Sequence, residues 1–152
     1  MSTKLEKLLE NSRRNFDAWN NRDADTIVAT YAENGTYTHP ALPEPLVGGQ
    51  AVAEWAKTVW TVLPEFKLDL VSLDATENGI VVNEWVYSGT DTGPHRDGTP
   101  PTERAVKCPG VSISQFDGDK IRWHRVYLDR LDEQLQYDNV ELKLTQHVEL
   151  AP

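Results

Sequence analysis

At 152 residues the chain has the length of one domain; folding at that size removes roughly 70% of the unfolded surface, which leaves little room for a second core. The formal charge of −9, from 24 acidic against 15 basic residues, comes with no Lys/Arg cluster, so a phosphate backbone is not an expected partner. Cys108 is the only cysteine, which excludes an intramolecular disulfide and a Cys-based zinc site. No stretch has the apolar length of a membrane span or a secretory h-region, so a soluble, cytoplasmic protein is expected.

Leu5, Leu8, Leu9, Ser12, Phe16 and Trp19 recur at the 3.6-residue period, and Thr3 with Glu6 forms a capping-box pattern, so the chain opens with an amphipathic helix. Asp23 caps a shorter helix carrying Ile27, Val28 and Tyr31, which Asn34-Gly35 is expected to stop. A short strand, Gly35 to His39, then enters the proline-rich loop Pro40 to Gly48. Val52, Trp55, Ala56, Val59 and Val62 predict a third helix from about Gly49 to Pro64.

Beyond Pro64 the period changes to two, predicting strands over about 65–75, 80–91, 103–116 and 120–128. Glu77-Asn78-Gly79 and Asp117-Gly118-Asp119 mark turns, the second a hairpin signal, and the Gly/Pro-rich run from Asp91 to Thr102 reads as a rim loop. Asp129 to Gln136 predicts a short helix. The tail, 137–152, is open between an edge strand, a partner contact and disorder. Three helices followed by a mainly antiparallel meander describe an α+β domain over 1–136 in which helices cover one face of a curved sheet, with a cone-like pocket as the expected result.

Tyr37 and His39 stand at i and i+2 of a strand, so a phenol and an imidazole project from one face and can together move a proton near neutral pH. A bland alternative makes His39 a strand-end residue that bonds its own loop. Trp55, Trp60, Trp85 and Tyr87 are core or the wall of a flat apolar pocket, and Cys108 reads as a small buried hydrophobe. His39, His95 and His124 share no ligand spacing with an acid, so no metal site is expected.

The order of elements, with Trp19-Asn20-Asn21-Arg22-Asp23, Pro40 through Gly48, Gly89-Thr90, Pro101-Thr102 and Asp119-Lys120-Ile121, resembles the nuclear-transport-factor-like superfamily and within it the SnoaL-like polyketide cyclases. The resemblance covers about residues 5–136. It implies a homodimeric cone with a deep apolar pocket for a hydrophobic small molecule, and no cofactor. By the same resemblance His39 stands where ketosteroid isomerases have an Asp base, and Tyr37 where limonene epoxide hydrolases have a pocket tyrosine. Trp85 and Tyr87 replace an Arg and an Asp of the epoxide hydrolases, and Val126 replaces a catalytic Asp of cyclases and hydrolases. Asn15 and Ser112 stand near the isomerase oxyanion positions, and Asp91 where SnoaL-like proteins often have a histidine.

Strand parity then turns Arg122, His124, Val126 and Leu128 toward the pocket and Arg125, Tyr127 and Asp129 away from it, with an Arg125–Glu84 ion pair expected on the outer face. The expected catalytic set is His39 as base, His124 as acid and Tyr37 as donor to a substrate oxygen. Trp55, Trp85, Tyr87, Asp91 and Val126 are expected to contact substrate, with His95, Arg96 and Arg104 on the loop. The expected reaction is acid–base isomerisation, cyclisation or dehydration; a non-catalytic binding protein or a dimeric scaffold is the alternative.

Overall fold

A computed structural model describes residues 2–138. Helix α1 (Lys4–Asn20) begins at the expected capping box, with Glu6 N–H donating to Thr3 Oγ1 at 3.1 Å and Thr3 N–H to Glu6 Oε2 at 2.7 Å. Its buried residues Leu8, Ser12, Asn15, Phe16, Ala18 and Trp19 lie along one side. Asp23 caps α2 (Ala24–Thr30) by accepting from Thr26 N–H at 3.0 Å. Strand β1 (Tyr31–Thr38) follows at once, so Tyr31 begins the strand and Asn34-Gly35 lies inside it. The expected helix stop there is corrected: Gly35 is a close-approach residue, since a Cβ on it would sit 2.5 Å from the Ile121 carbonyl oxygen.

After the two-residue β2 (Leu46–Val47) come α3 (Gly49–Val62), β3 (Lys67–Ala75), β4 (Ile80–Thr90), β5 (Ala105–Asp117), β6 (Lys120–Leu128) and α4 (Arg130–Asp138). Among the described residues six strands form one open, mixed sheet in the order β2-β1-β6-β5-β4-β3, antiparallel except where β1 runs parallel to β6. The α+β class read from the sequence is the class formed, with α4 as a fourth helix. The tail reading falls, from residue 139 on, outside the described residues.

Register shifts at Tyr31/Thr36, Leu70/Ser72 and Gln115/Phe116 bend and twist the sheet. The last corrects a side-chain direction. Phe116 pairs with Ile121 and Gln115 with Trp123, so Arg122 is the extra residue of a bulge; Ile121 and His124 point inward and Arg122 is exposed. Val126 keeps the inward direction expected of it. The Arg125–Glu84 pair does not form, because β5 lies between β4 and β6. Arg125 stacks instead on Trp123, 4.3 Å from the ring centroid, and Glu84 meets Ser72 Oγ at 3.4 Å.

The motif at the end of α1 is a clamp. The Asn20 side chain pairs with the Leu68 backbone as another strand would, donating to its carbonyl at 2.8 Å and accepting its N–H at 2.7 Å. Arg22 donates to the carbonyls of Pro64 and Phe66, at 3.0 and 2.9 Å, and covers the Trp60 and Phe66 rings. These contacts hold α1 against the start of β3, so that the helices and the inward sheet face enclose space.

Candidate active site

That space is a cavity of about 700 Å³ whose lining is mostly apolar and aromatic. Tyr37 is buried on β1 and is the register partner of His124 on β6, so the parallel pairing brings their side chains together. Their ring centroids are 5.1 Å apart, edge to face. His39, just past the end of β1, stacks on Tyr37 at 6.1 Å and lies 5.6 Å from Trp55. Tyr37, His39 and His124 thus form one cluster in the cavity wall.

Hydrogen bonds decide which atoms these rings offer. Ala41 N–H donates to His39 Nδ1 at 3.0 Å. A backbone amide can only donate, so the neutral ring carries its proton on Nε2. Burial, then the positive charge of Arg130, lowers the pKa of His39 to about 4, which keeps the ring neutral at physiological pH. The lone pair that a base would use is therefore engaged by the loop, and His39 presents an N–H.

His124 Nδ1 lies 2.8 Å from the buried Tyr31 hydroxyl, and Nε2 is buried with no partner among the described residues. Among the described residues Nδ1 is the one acceptor the Tyr31 O–H meets, so the hydroxyl donates there and the second ring also carries its proton on Nε2. Burial, then the neighbouring His39, lowers this pKa too to about 4. The Tyr37 phenol is pushed well above its usual range by burial, an effect that the Trp55 indole N–H only partly offsets. All three are neutral donors at pH 7.

The far wall is built by β4 and β5. Trp85 faces Gly110 across the strands and donates to Ser112 Oγ at 2.9 Å; a Cβ on Gly110 would come within 2.3 Å of the indole. Gly110 is the space in which Trp85 lies flat. Asn15, which lines the cavity, donates to Thr30 Oγ1 at 2.8 Å. Val126 is buried in the lining, and Trp55 is half-buried.

Asp91 touches the cavity, but its carboxylate serves the loop. Oδ2 accepts from Thr102 N–H at 3.0 Å and from Thr102 Oγ1 at 2.9 Å, while Oδ1 lies 2.6 Å from His95 Nε2. Burial raises its pKa, and the bonds from His95 and Thr102 outweigh this, so the net shift is downward. His95 and Arg96 line the cavity, whereas Arg104 lies outside the lining.

On the fourth side Tyr87 donates to Glu133 Oε1, and Glu133 Oε2 pairs with Arg130, both on α4. Asp129, expected to have no pocket role, caps this helix by accepting from Asp132 N–H at 2.9 Å. Cys108 is fully buried, its thiol pushed up to about 11 by burial first and nearby carboxylates second. Among the described residues no group of three His, Cys, Asp or Glu side chains converges as metal ligands would.

The SnoaL-like domain family matches residues 12–124, well over half of the chain and the span that carries the cavity from Asn15 to His124. The chain belongs to the SnoaL-like family. A candidate SnoaL-like polyketide cyclase from Jannaschia sp. is similar in structure, with a TM-score of 0.79 at 17% identity, over 93% of this chain and 98% of that one. An LEH-like epoxide hydrolase from M. tuberculosis matches with a TM-score of 0.71 at 17% identity, over 90% and 93% of the two chains. A Catenulispora acidiphila protein with a ketosteroid isomerase-like fold, in complex with trimethylamine, matches with a TM-score of 0.72 at 16% identity, over 85% and 92%. At these identities the likeness establishes the shared cone fold. No curated protein matches the sequence significantly.

Two residues of this SnoaL-like cavity, Glu133 and Arg130, and Tyr31, which lies outside the lining and bonds His124, escaped the sequence reading. The spacing of Tyr31 places it on a helix, and only the bulge in β1 brings it to His124. Glu133 and Arg130 belong to a polar helix whose inward side nothing local reveals.

Proposed function

We propose that this SnoaL-like chain is a cofactor-independent enzyme acting on a hydrophobic small molecule of polyketide, terpenoid or steroid-like type, by acid–base isomerisation, cyclisation or dehydration. His39 and His124 give their Nε2–H groups, and Tyr37 its hydroxyl, to one substrate oxygen. Trp55, Trp85, Tyr87 and Val126 hold the apolar skeleton. Residues 1–136 form the working unit, as a homodimer.

One observation carries this reading: two neutral imidazoles share a mostly apolar cavity with both Nδ1 atoms engaged, and His124 Nε2 has no partner among the described residues. A buried unpaired N–H costs about 1–3 kcal/mol, which an acceptor oxygen recovers. Donors fixed before the reaction also stabilise negative charge that develops on that oxygen, as in an enolate. The alternative, a lipophilic-ligand carrier, draws on Val126, an apolar residue at the position where the resemblance implies a catalytic Asp.

Quenching of tryptophan fluorescence by 2-naphthol, a flat apolar ring pair with one oxygen, tests the reading. The wild type is expected to bind it, and His39→Ala and His124→Ala to bind about 5–10-fold more weakly, as loss of one such hydrogen bond predicts. Unchanged affinity in both variants would overturn the proposal. Native mass spectrometry of the purified protein reports the subunit count and any retained ligand.

A further inference from the structure

Among the described residues two carboxylates in the cavity lining are buried, Asp91 and Glu133. Asp91 is consumed by its loop: one oxygen takes two bonds from Thr102 and the other meets His95. Glu133 has a different environment. Its side chain is 8% exposed and, among the described residues, accepts one bond at each oxygen, from the Tyr87 hydroxyl and from Arg130. An ionised carboxylate has about four acceptor sites, so lone pairs remain for a further proton. Arg130 compensates the buried charge, and both partners fix the orientation of the carboxylate.

We infer that Glu133 is the proton acceptor of this cavity, carried by α4, with Tyr87 and Arg130 as its positioning residues. The inference rests on the reading of the pocket proposed above and adds the base that reading leaves open, since both imidazoles use their Nδ1 lone pairs elsewhere. The substrate class becomes a carbonyl compound with an acidic C–H beside the carbonyl. The carbon–hydrogen bond breaks, the proton passes to Glu133, and the electron pair moves into an enolate whose oxygen accepts from the imidazole N–H groups. Return of the proton to another carbon completes an isomerisation without any oxidant or reductant. Attack of the enolate carbon on an electrophilic carbonyl of the same molecule completes a cyclisation instead, with Glu133 returning the proton to the new alkoxide.

The test uses 5-nitrobenzisoxazole, a flat apolar probe. A base removes its one acidic C–H, the electron pair forms a nitrile, and the N–O bond opens to a coloured phenolate. The full-length wild type is expected to turn it over. Glu133→Gln, which keeps the shape of the side chain and one acceptor oxygen but replaces the other by an NH2 donor, is expected to lower kcat about 100-fold or more with KM nearly unchanged. Glu133→Asp, which keeps the carboxylate, restores part of the rate and serves also if the amide variant folds poorly. Tyr87→Phe lowers kcat by less than Glu133→Gln does. Wild-type kcat in Glu133→Gln, equal losses in the Asp and Gln variants, or no turnover by the wild type would each overturn the inference. Binding of 2-naphthol alongside any of these leaves the pocket reading standing; absence of that binding as well removes both.

Discussion

Single side chains in this molecule are defined by what their neighbours leave free. His39 and His124 look alike in the sequence, and each becomes a donor because a different group takes its Nδ1, a loop amide in one case and the Tyr31 phenol in the other. Tyr37 and His39 were legible as a pair from strand alternation alone; the tautomers were not, since they depend on Ala41 and on a residue 93 positions from His124. Gly110 shows the same dependence at one atom. Replacing it with alanine puts a Cβ into the Trp85 ring, which must leave its plane and its bond to Ser112. Gly110→Ala is expected to destabilise the fold by about 1–3 kcal/mol, read from urea unfolding; an unchanged midpoint would show that the indole has another place to go.

Among the elements, period and caps made α1, α2, α3 and the four long strands readable, because each buries a face whose repeat matches its own geometry. Bulges were not readable. One extra residue in β6 turns Arg122 outward against strict alternation, and the register shift in β1 between Tyr31 and Thr36 brings Tyr31, the first residue of the strand, toward His124. A bulge is an agreement between two strands, so neither strand announces it. The clamp of α1 on β3 is of the same kind. Asn20→Ala removes two hydrogen bonds and leaves the Leu68 backbone pair without partners, so a loss of about 2 kcal/mol is expected in chemical denaturation. A loss below about 0.5 kcal/mol would mean that Arg22 holds the junction alone.

For the whole molecule, enclosing neutral imidazoles ties stability to pH. Both rings have pKa values near 4 in the fold, whereas an unfolded histidine titrates near 6.5. Between those values the unfolded chain binds more protons, so this part of the stability is complete above about pH 6.5 and drains away as the pH falls toward 4. For the buried His124 it amounts to at most on the order of 3 kcal/mol. Melting temperatures measured from pH 7 to 4 are expected to fall less steeply in His124→Asn than in the wild type; parallel curves would contradict the lowered pKa.

By itself the sequence determined the α+β class, the helices, the long strands, the family and the pairing of Tyr37 with His39, because these follow from local periodicity and from order along the chain. Only the tertiary structure decided which nitrogen carries each proton, which way Arg122 points, and that Glu133 joins the cavity. Each of these depends on contacts between segments far apart in the chain, where hydrogen-bond partners and burial exist only once the sheet has closed over the helices.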